Sequence, residues 1–245
     1  MNHLVRCSLE RWLAYTRIMA EQVINQFHDF LKDYVVKSFK KGEIIVFQGE
    51  APRTAYVIKS GVVKTYNLNS NGDEKPVGFN AENDIFPAHW TFYKAPSALY
   101  YYEALTDTQL YHVPRDDYLK FLKAHPDVTY AQLEHMVTDH LGNMMRINAL
   151  QHSRASDKLI YTLHYLALSQ GHPVSPEEVE IGLNLTHQDF ANLTGLTRET
   201  AATELNKLKL LGVIEYGKHS LYRVKVKLLN QALNDQSIAE VKLNF

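Results

Sequence analysis

The segment THQDFANLTGLTRETAATELNKLKLL, Thr186 to Leu211, constrains the fold more than any other part of the chain. It predicts two short helices around a tight turn. Thr186 precedes an apolar period over 187–193, where its hydroxyl can accept from a free amide of the first turn. Phe190, Ala191 and Leu193 form that helix's inner face, and Gly195 suits the left-handed residue that ends it. Thr197 caps a second helix whose apolar positions, Ala201, Leu205, Leu208 and Leu211, recur at three- to four-residue spacing. Its other face opens with Arg198, Glu199, Thr200 and Thr203. Paired donors and acceptors at a helix N-terminus match the edges of bases in a DNA groove, and the positive helix end favours phosphate.

Two helices alone fit an ordinary helical hairpin equally well, and the following residues separate the readings. Val213–Tyr216, Gly217–Ser220 and Leu221–Val226 read as strand, turn and strand, a wing with Lys218 and His219 at its tip. From Arg198 to Lys227 the cations Arg198, Lys207, Lys209, Lys218, Arg223, Lys225 and Lys227 outnumber the anions Glu199, Glu204 and Glu215. Turn glycine, polar helix start and basic wing together favour duplex DNA.

The rest of the composition excludes more than it assigns. A formal net charge of −1 over 245 residues confines any basic surface to one region. One cysteine, Cys7, cannot build an internal disulfide, a cysteine-ligated zinc site or an iron–sulfur cluster. No apolar run reaches the roughly 18 residues that span a bilayer, and no basic start precedes an apolar core. A cytoplasmic protein without a membrane partner is expected.

Residues 8–34 read as helical, with Leu9, Leu13, Val23, Ile24, Phe27, Phe30 and Leu31 at helix-like spacing. From Val35 to Tyr111 the pattern changes to short apolar segments punctuated by glycine. Ser60-Gly61 and Asn71-Gly72 each sit between apolar runs as hairpin signals. Many short strands with regular turns indicate an antiparallel β-roll. Pro114 and Pro126 then punctuate the exit, and a helix runs from Pro126 to about Gln151. Tyr130, Leu133, Val137, Leu141, Met144 and Asn148 give it one apolar stripe with a polar break. A hinge at 153–154, a helix over 155–170 with Leu159, Leu163 and Leu166 on its core face, and a short strand over Ile181–Leu185 follow.

The words KKGEIIVFQGE and AYVIKSGVVKTY, with Asn83-Asp84 before an apolar residue, resemble the cyclic-nucleotide-binding roll of the cyclic-AMP receptor protein (Crp/Fnr) family. THQDFANLTGLTRET is similar to that family's helix-turn-helix. The resemblance covers roughly residues 20–227 and implies an α+β fold. Its parts are a β-roll (jelly roll) with an N-terminal helix over 1–113, a long dimerisation helix over 114–152 and a winged helix-turn-helix over 153–245. It also implies a homodimer on paired half-sites of double-stranded DNA, with RNA polymerase as a further possible partner. Gln188 and Thr197 are the expected phosphate contacts, with Thr200 supporting them. Arg198 and Glu199 reach base edges, and Lys207 and Lys218 meet phosphates. Thr203 stands where family members often carry another base-reading arginine, so a different preferred site is expected.

The departures from the family are as specific as the match. Its cyclic-nucleotide binders carry a glycine–glutamate pair after the acidic turn and a phosphate-holding arginine about ten residues on. Here Asp84-Ile85-Phe86 leads to Pro87-Ala88, and Pro96–Tyr100 contains no cation. A buried phosphate without a guanidinium would lack compensation for its desolvation, and proline has no amide to donate. Cyclic AMP is therefore not the expected ligand, no cofactor is expected, and the small-molecule effector is unknown. His89, Trp90, Phe92, Tyr93, Tyr100, Tyr101 and Tyr102 could stack a flat effector or simply fill the roll. His89, His112, His125, His135, His140 and His152 show no tight ligand spacing, so no metal is expected.

An enzyme is the competing class, but no nucleophile elbow or phosphate loop occurs. Asp116-Asp117 and Glu177-Glu178 read as carboxylates at helix starts rather than a catalytic pair. The alternative within the family is a sensor that acts through protein contacts without DNA. The intact polar face at Arg198 weighs against it.

Overall fold

The computed structural model describes residues 22–217 and 221–233. The chain divides into two units. One holds the described residues up to Thr65 with Asn80–Met136; the other holds Tyr66–Phe79 and the described residues from Val137. Of the helix expected over 8–34, residues 22–31 are helical (α1), and 8–21 lie outside the described residues. Phe27 and Leu31 are buried, but Ile24 is half exposed.

Strands follow in quick succession: β1 (Val36–Phe39), β2 (Ile44–Val46), β3 (Ala55–Ser60), β4 (Val63–Leu68), β5 (Glu74–Asn80), β6 (Ile85–Phe86), β7 (Tyr101–Ala104) and β8 (Thr108–Val113). They form two four-stranded sheets in the orders β1-β8-β3-β6 and β2-β7-β4-β5, the architecture of a β-roll. Val46, Ile58, Val63, Phe86, Tyr102 and Leu110 make one core cluster, each such burial contributing about 1.5–3 kcal/mol. Tyr56, Phe86 and Tyr102 stack in series, with ring centroids 5.3 and 5.1 Å apart.

The two hairpin signals part company here. Asn71-Gly72 does join neighbours, β4 to β5, with Gly72 at φ 82° and Asn69 Oδ1 accepting from the amides of Asn71 and Asp73. Ser60-Gly61 does not, because β3 and β4 lie in different sheets. It is a corner where the chain crosses between layers. Gly61 is needed twice over: its φ is 93°, and an added Cβ would stand 2.6 Å from the Asp107 carbonyl oxygen.

A short helix, α2 (Ala88–Thr91), occupies the connection from β6 to β7. After Pro114 comes α3 (Arg115–Ala124), with Asp116 and Asp117 in its first turn as expected. Tyr118, Phe121 and Leu122 of α3 bury against Phe27 and Leu31, and Phe30 stacks on Phe121 at 4.1 Å. Helix α4 (Pro126–Gln151) has the expected bounds. Tyr130, Leu133, Val137, Leu141 and Met144 are all exposed along it, Tyr130 by 62% and Val137 by 60%, while Asn148 is half-buried.

In the second unit α5 (Ala155–Gln170) is the central element. Leu159, Leu163 and Leu166 are fully buried, as their spacing predicts. Within the same unit the buried Arg146 guanidinium donates to the carbonyl oxygens of Pro76 and Val77 and lies 6.0 Å from the Tyr165 ring. A hairpin of β9 (Gly171–Ser175) and β10 (Glu178–Ile181) follows. Two expectations are corrected by it. Glu177-Glu178 is no helix start but the end of a strand turn, and the strand expected over Ile181–Leu185 ends at Ile181. The strict requirement sits at Gly171, where an added Cβ would meet the Ala167 carbonyl oxygen at 2.1 Å.

Candidate nucleic-acid interface

Helices α6 (His187–Thr194) and α7 (Arg198–Leu210) realise the two-helix segment. Thr186 caps α6 in a reciprocal capping box: its hydroxyl accepts from the Asp189 amide, and the Asp189 carboxylate accepts from the Thr186 amide at 2.7 Å. Gly195 adopts φ 68°, ψ 23°, and its amide donates to the Ala191 carbonyl oxygen. The Thr197 hydroxyl accepts from the Thr200 amide at 3.2 Å and starts α7. Phe190, Ala191, Leu193, Ala201, Leu205 and Leu208 are buried. Leu211 corrects the expectation: it lies past the helix end and is 71% exposed.

The outward face gathers most of the expected residues. Gln188, Thr197, Arg198, Glu199, Thr203 and Lys207 are exposed and Thr200 is half-buried. Some of their hydrogen-bonding capacity is already used. Gln188 donates to the Asn192 side chain, the Thr200 and Thr197 hydroxyls meet at 2.9 Å, and Thr203 donates to the Glu199 carbonyl oxygen. Lys207 pairs with Glu204 at 2.7 Å, an exposed contact worth under about 1 kcal/mol and readily exchanged for a phosphate. Lys218 and His219 lie outside the described residues.

Among the described residues the wing strands are shorter than the sequence suggests. Its strands are β11 (Ile214–Glu215) and β12 (Arg223–Lys225), in a sheet ordered β11-β12-β10-β9. Helix α8 (Val226–Ala232) begins at a residue expected to continue the strand. Arg223 pairs with Glu180 at 2.9 Å and Lys225 with Glu215 at 3.0 Å, so two of the cations counted over 198–227 are engaged within the sheet.

Sequence spacing misses the aromatic group at the wing's root. Tyr216 stacks on Tyr222 at 4.5 Å, His187 meets Tyr216 edge-on, and Tyr222 packs against Phe190. Lys209 Nζ lies 4.5 Å from the Tyr216 ring centroid and donates to the Tyr216 carbonyl oxygen. Burial raises the pKa of both phenols, so both stay protonated donors. A concavity of about 660 Å³ opens beside this group, lined in part by Thr186, Gln188, Arg198 and Lys209.

In the other unit the segment at Pro87 is engaged within the protein. The Pro87 carbonyl oxygen accepts from the Thr91 amide and hydroxyl, and Trp90 is buried. Arg115 lies 4.4 Å from the Trp90 ring and 3.7 Å from that of Tyr93, and donates to the Trp90 carbonyl oxygen. Tyr93 in turn donates to Asp116. Of the aromatic cluster, Trp90 and Tyr102 are therefore core and Tyr93 covers Arg115. His135 pairs with Asp84 at 2.5 Å.

Residues 36–125 match the family model of the cyclic nucleotide-binding domain, and residues 157–232 that of the Crp-like helix-turn-helix domain. The global nitrogen regulator of Synechococcus elongatus is 29% identical over 71% of this chain and 78% of its own. The HTH-type transcriptional regulator ArcR of Staphylococcus aureus is 30% identical over 71% of this chain and 73% of its own. Among solved structures, a CooA mutant from Carboxydothermus hydrogenoformans superposes with a TM-score of 0.65 at 22% identity, covering 82% of this chain and 88% of that one. FixK2 from Bradyrhizobium japonicum gives 0.65 at 21%, covering 82% and 98%. At such identities the structural likeness shows the fold. Two family models in the order the fold requires, with a 30% identical relative, place this chain in the Crp/Fnr family of DNA-binding transcription regulators.

Proposed function

We propose that this regulator reads paired DNA half-sites as a cytoplasmic homodimer and is not controlled by cyclic AMP. The carrying observation is the free, solvent-facing start of α7, where Arg198 and Glu199 follow a capped turn. Arg198 binds a guanine edge bidentately, and Glu199 accepts from cytosine. Gln188 and Thr197 contact phosphate, Thr200 fixes the Thr197 hydroxyl, and Lys207 and Lys218 add phosphate contacts. Thr203, with its hydroxyl turned back onto the helix, reads by shape and methyl contact. The exposed stripe of α4 supports pairing with a second copy.

Binding-site selection followed by gel shifts at two salt concentrations tests this reading. One half-site motif repeated with twofold symmetry, and affinity that falls steeply with salt, are expected. Binding without sequence preference would overturn it. For the ligand, Pro87, which has no amide to donate, and Arg115, engaged with the Trp90 and Tyr93 rings, support the reading against cyclic AMP. Isothermal calorimetry with cyclic AMP should show no heat at micromolar concentrations, and saturable micromolar binding would refute that part.

A further inference from the structure

We infer that Tyr216 is a positioning residue for DNA reading: it fixes the angle of the wing to α7 through Asn206 and Lys209. The inference rests on the DNA-reading assignment above. β11, of two residues, joins its sheet only through the three-residue β12, which in turn pairs with β10. With β11 held by so short a pairing, side-chain contacts add to the hold on its angle, and several converge on Tyr216. The Tyr216 hydroxyl donates to Asn206 Oδ1 at 2.9 Å, and its carbonyl oxygen accepts from Lys209 Nζ at 2.7 Å. Both partners sit in the last turns of α7, the helix whose first turn presents Arg198. The ring stacks on buried Tyr222, just before β12, so the strands entering and leaving the wing are tied to the same helix.

The wing and the start of α7 must meet groove and phosphate at once, and phosphate contacts set the register in which base contacts are made. An error in wing angle then appears as lost register at the half-site, not as lost folding. Lys209 acts here as an internal strut whose charge is engaged within the protein.

The test is a double-mutant cycle on the full chain with the selected DNA site. Tyr216→Phe removes only the hydroxyl bond and Asn206→Ala only its acceptor. Each should weaken binding roughly threefold, as for one neutral hydrogen bond, with the chain still folded by circular dichroism at the assay temperature. The double variant should be no worse than either single one. Hydroxyl-radical footprints of each should lose protection at the half-site flank while keeping it over the base-reading centre. Additive losses, meaning that Asn206 touches DNA itself, would overturn the inference, as would singles with wild-type affinity and footprint. A wild-type chain that selects no DNA site would instead strike the underlying assignment. Tyr216→Ala is the stronger perturbation, and the conservative pair keeps the test valid if that variant unfolds.

Discussion

Arg198 stands one residue beyond the Thr197 cap with its guanidinium in solvent, so its charge is available to a ligand and contributes little to folding. Replacing it with alanine should cost about 1–3 kcal/mol of binding free energy and relax the preference at one base pair, as selection from a randomised library would read. Unchanged affinity and preference would remove Arg198 from the reading face. His164 is the opposite case. It is fully buried on α5, and burial, only partly offset by the nearby Asn230 side chain, lowers its pKa from 6.5 to about 4. The folded state therefore excludes a proton that the unfolded chain accepts, and stability is lost as pH falls from about 6.5 towards 4. The deficit is about 2 kcal/mol by roughly pH 5. Urea titrations at neutral and mildly acid pH should show it, and His164→Gln should flatten that dependence. Residues such as Thr186, Gly195 and Thr197 were legible because a cap is a local device, set by neighbours within three or four positions. Tyr216 was not, because its partners Asn206, Lys209, His187 and Tyr222 meet only after the wing folds back.

Among the elements, those with one local period came through the sequence intact. α4 kept its bounds and α5 its leucine face, since a helix needs only one consistent apolar side. The errors fall where two readings share one pattern. Gly61 between apolar runs looks like a hairpin turn whether the next strand pairs with the last or crosses to another sheet. The carboxylates at Glu177-Glu178 mark a solvent-exposed turn as readily as a helix start. Leu211 continues the spacing of α7 past its end, where Gly212 at φ 71° directs the chain away. Gly195 offers a clean test of turn chemistry. Its φ is positive but nothing lies within 4 Å of an added Cβ, so Gly195→Ala meets conformational strain alone. A cost of roughly 1–2 kcal/mol in chemical denaturation is expected, with half-site preference intact in the folded fraction. Gly171→Ala, which meets backbone at 2.1 Å, should cost distinctly more.

For the molecule as a whole, the half-exposed apolar side chains along α4 set the terms of assembly. Val137→Glu places a charge in that stripe and should shift the protein to monomer in analytical ultracentrifugation, with affinity for a paired site falling by about a hundredfold or more. A charged variant that stays dimeric would move the interface elsewhere. The wing carries a different consequence. With Arg223 paired to Glu180 and Lys225 to Glu215, each of these strand cations must give up a carboxylate to take a phosphate. That exchange returns part of each phosphate contact's gain, so the two strands hold random duplex less tightly than a count of their cations implies.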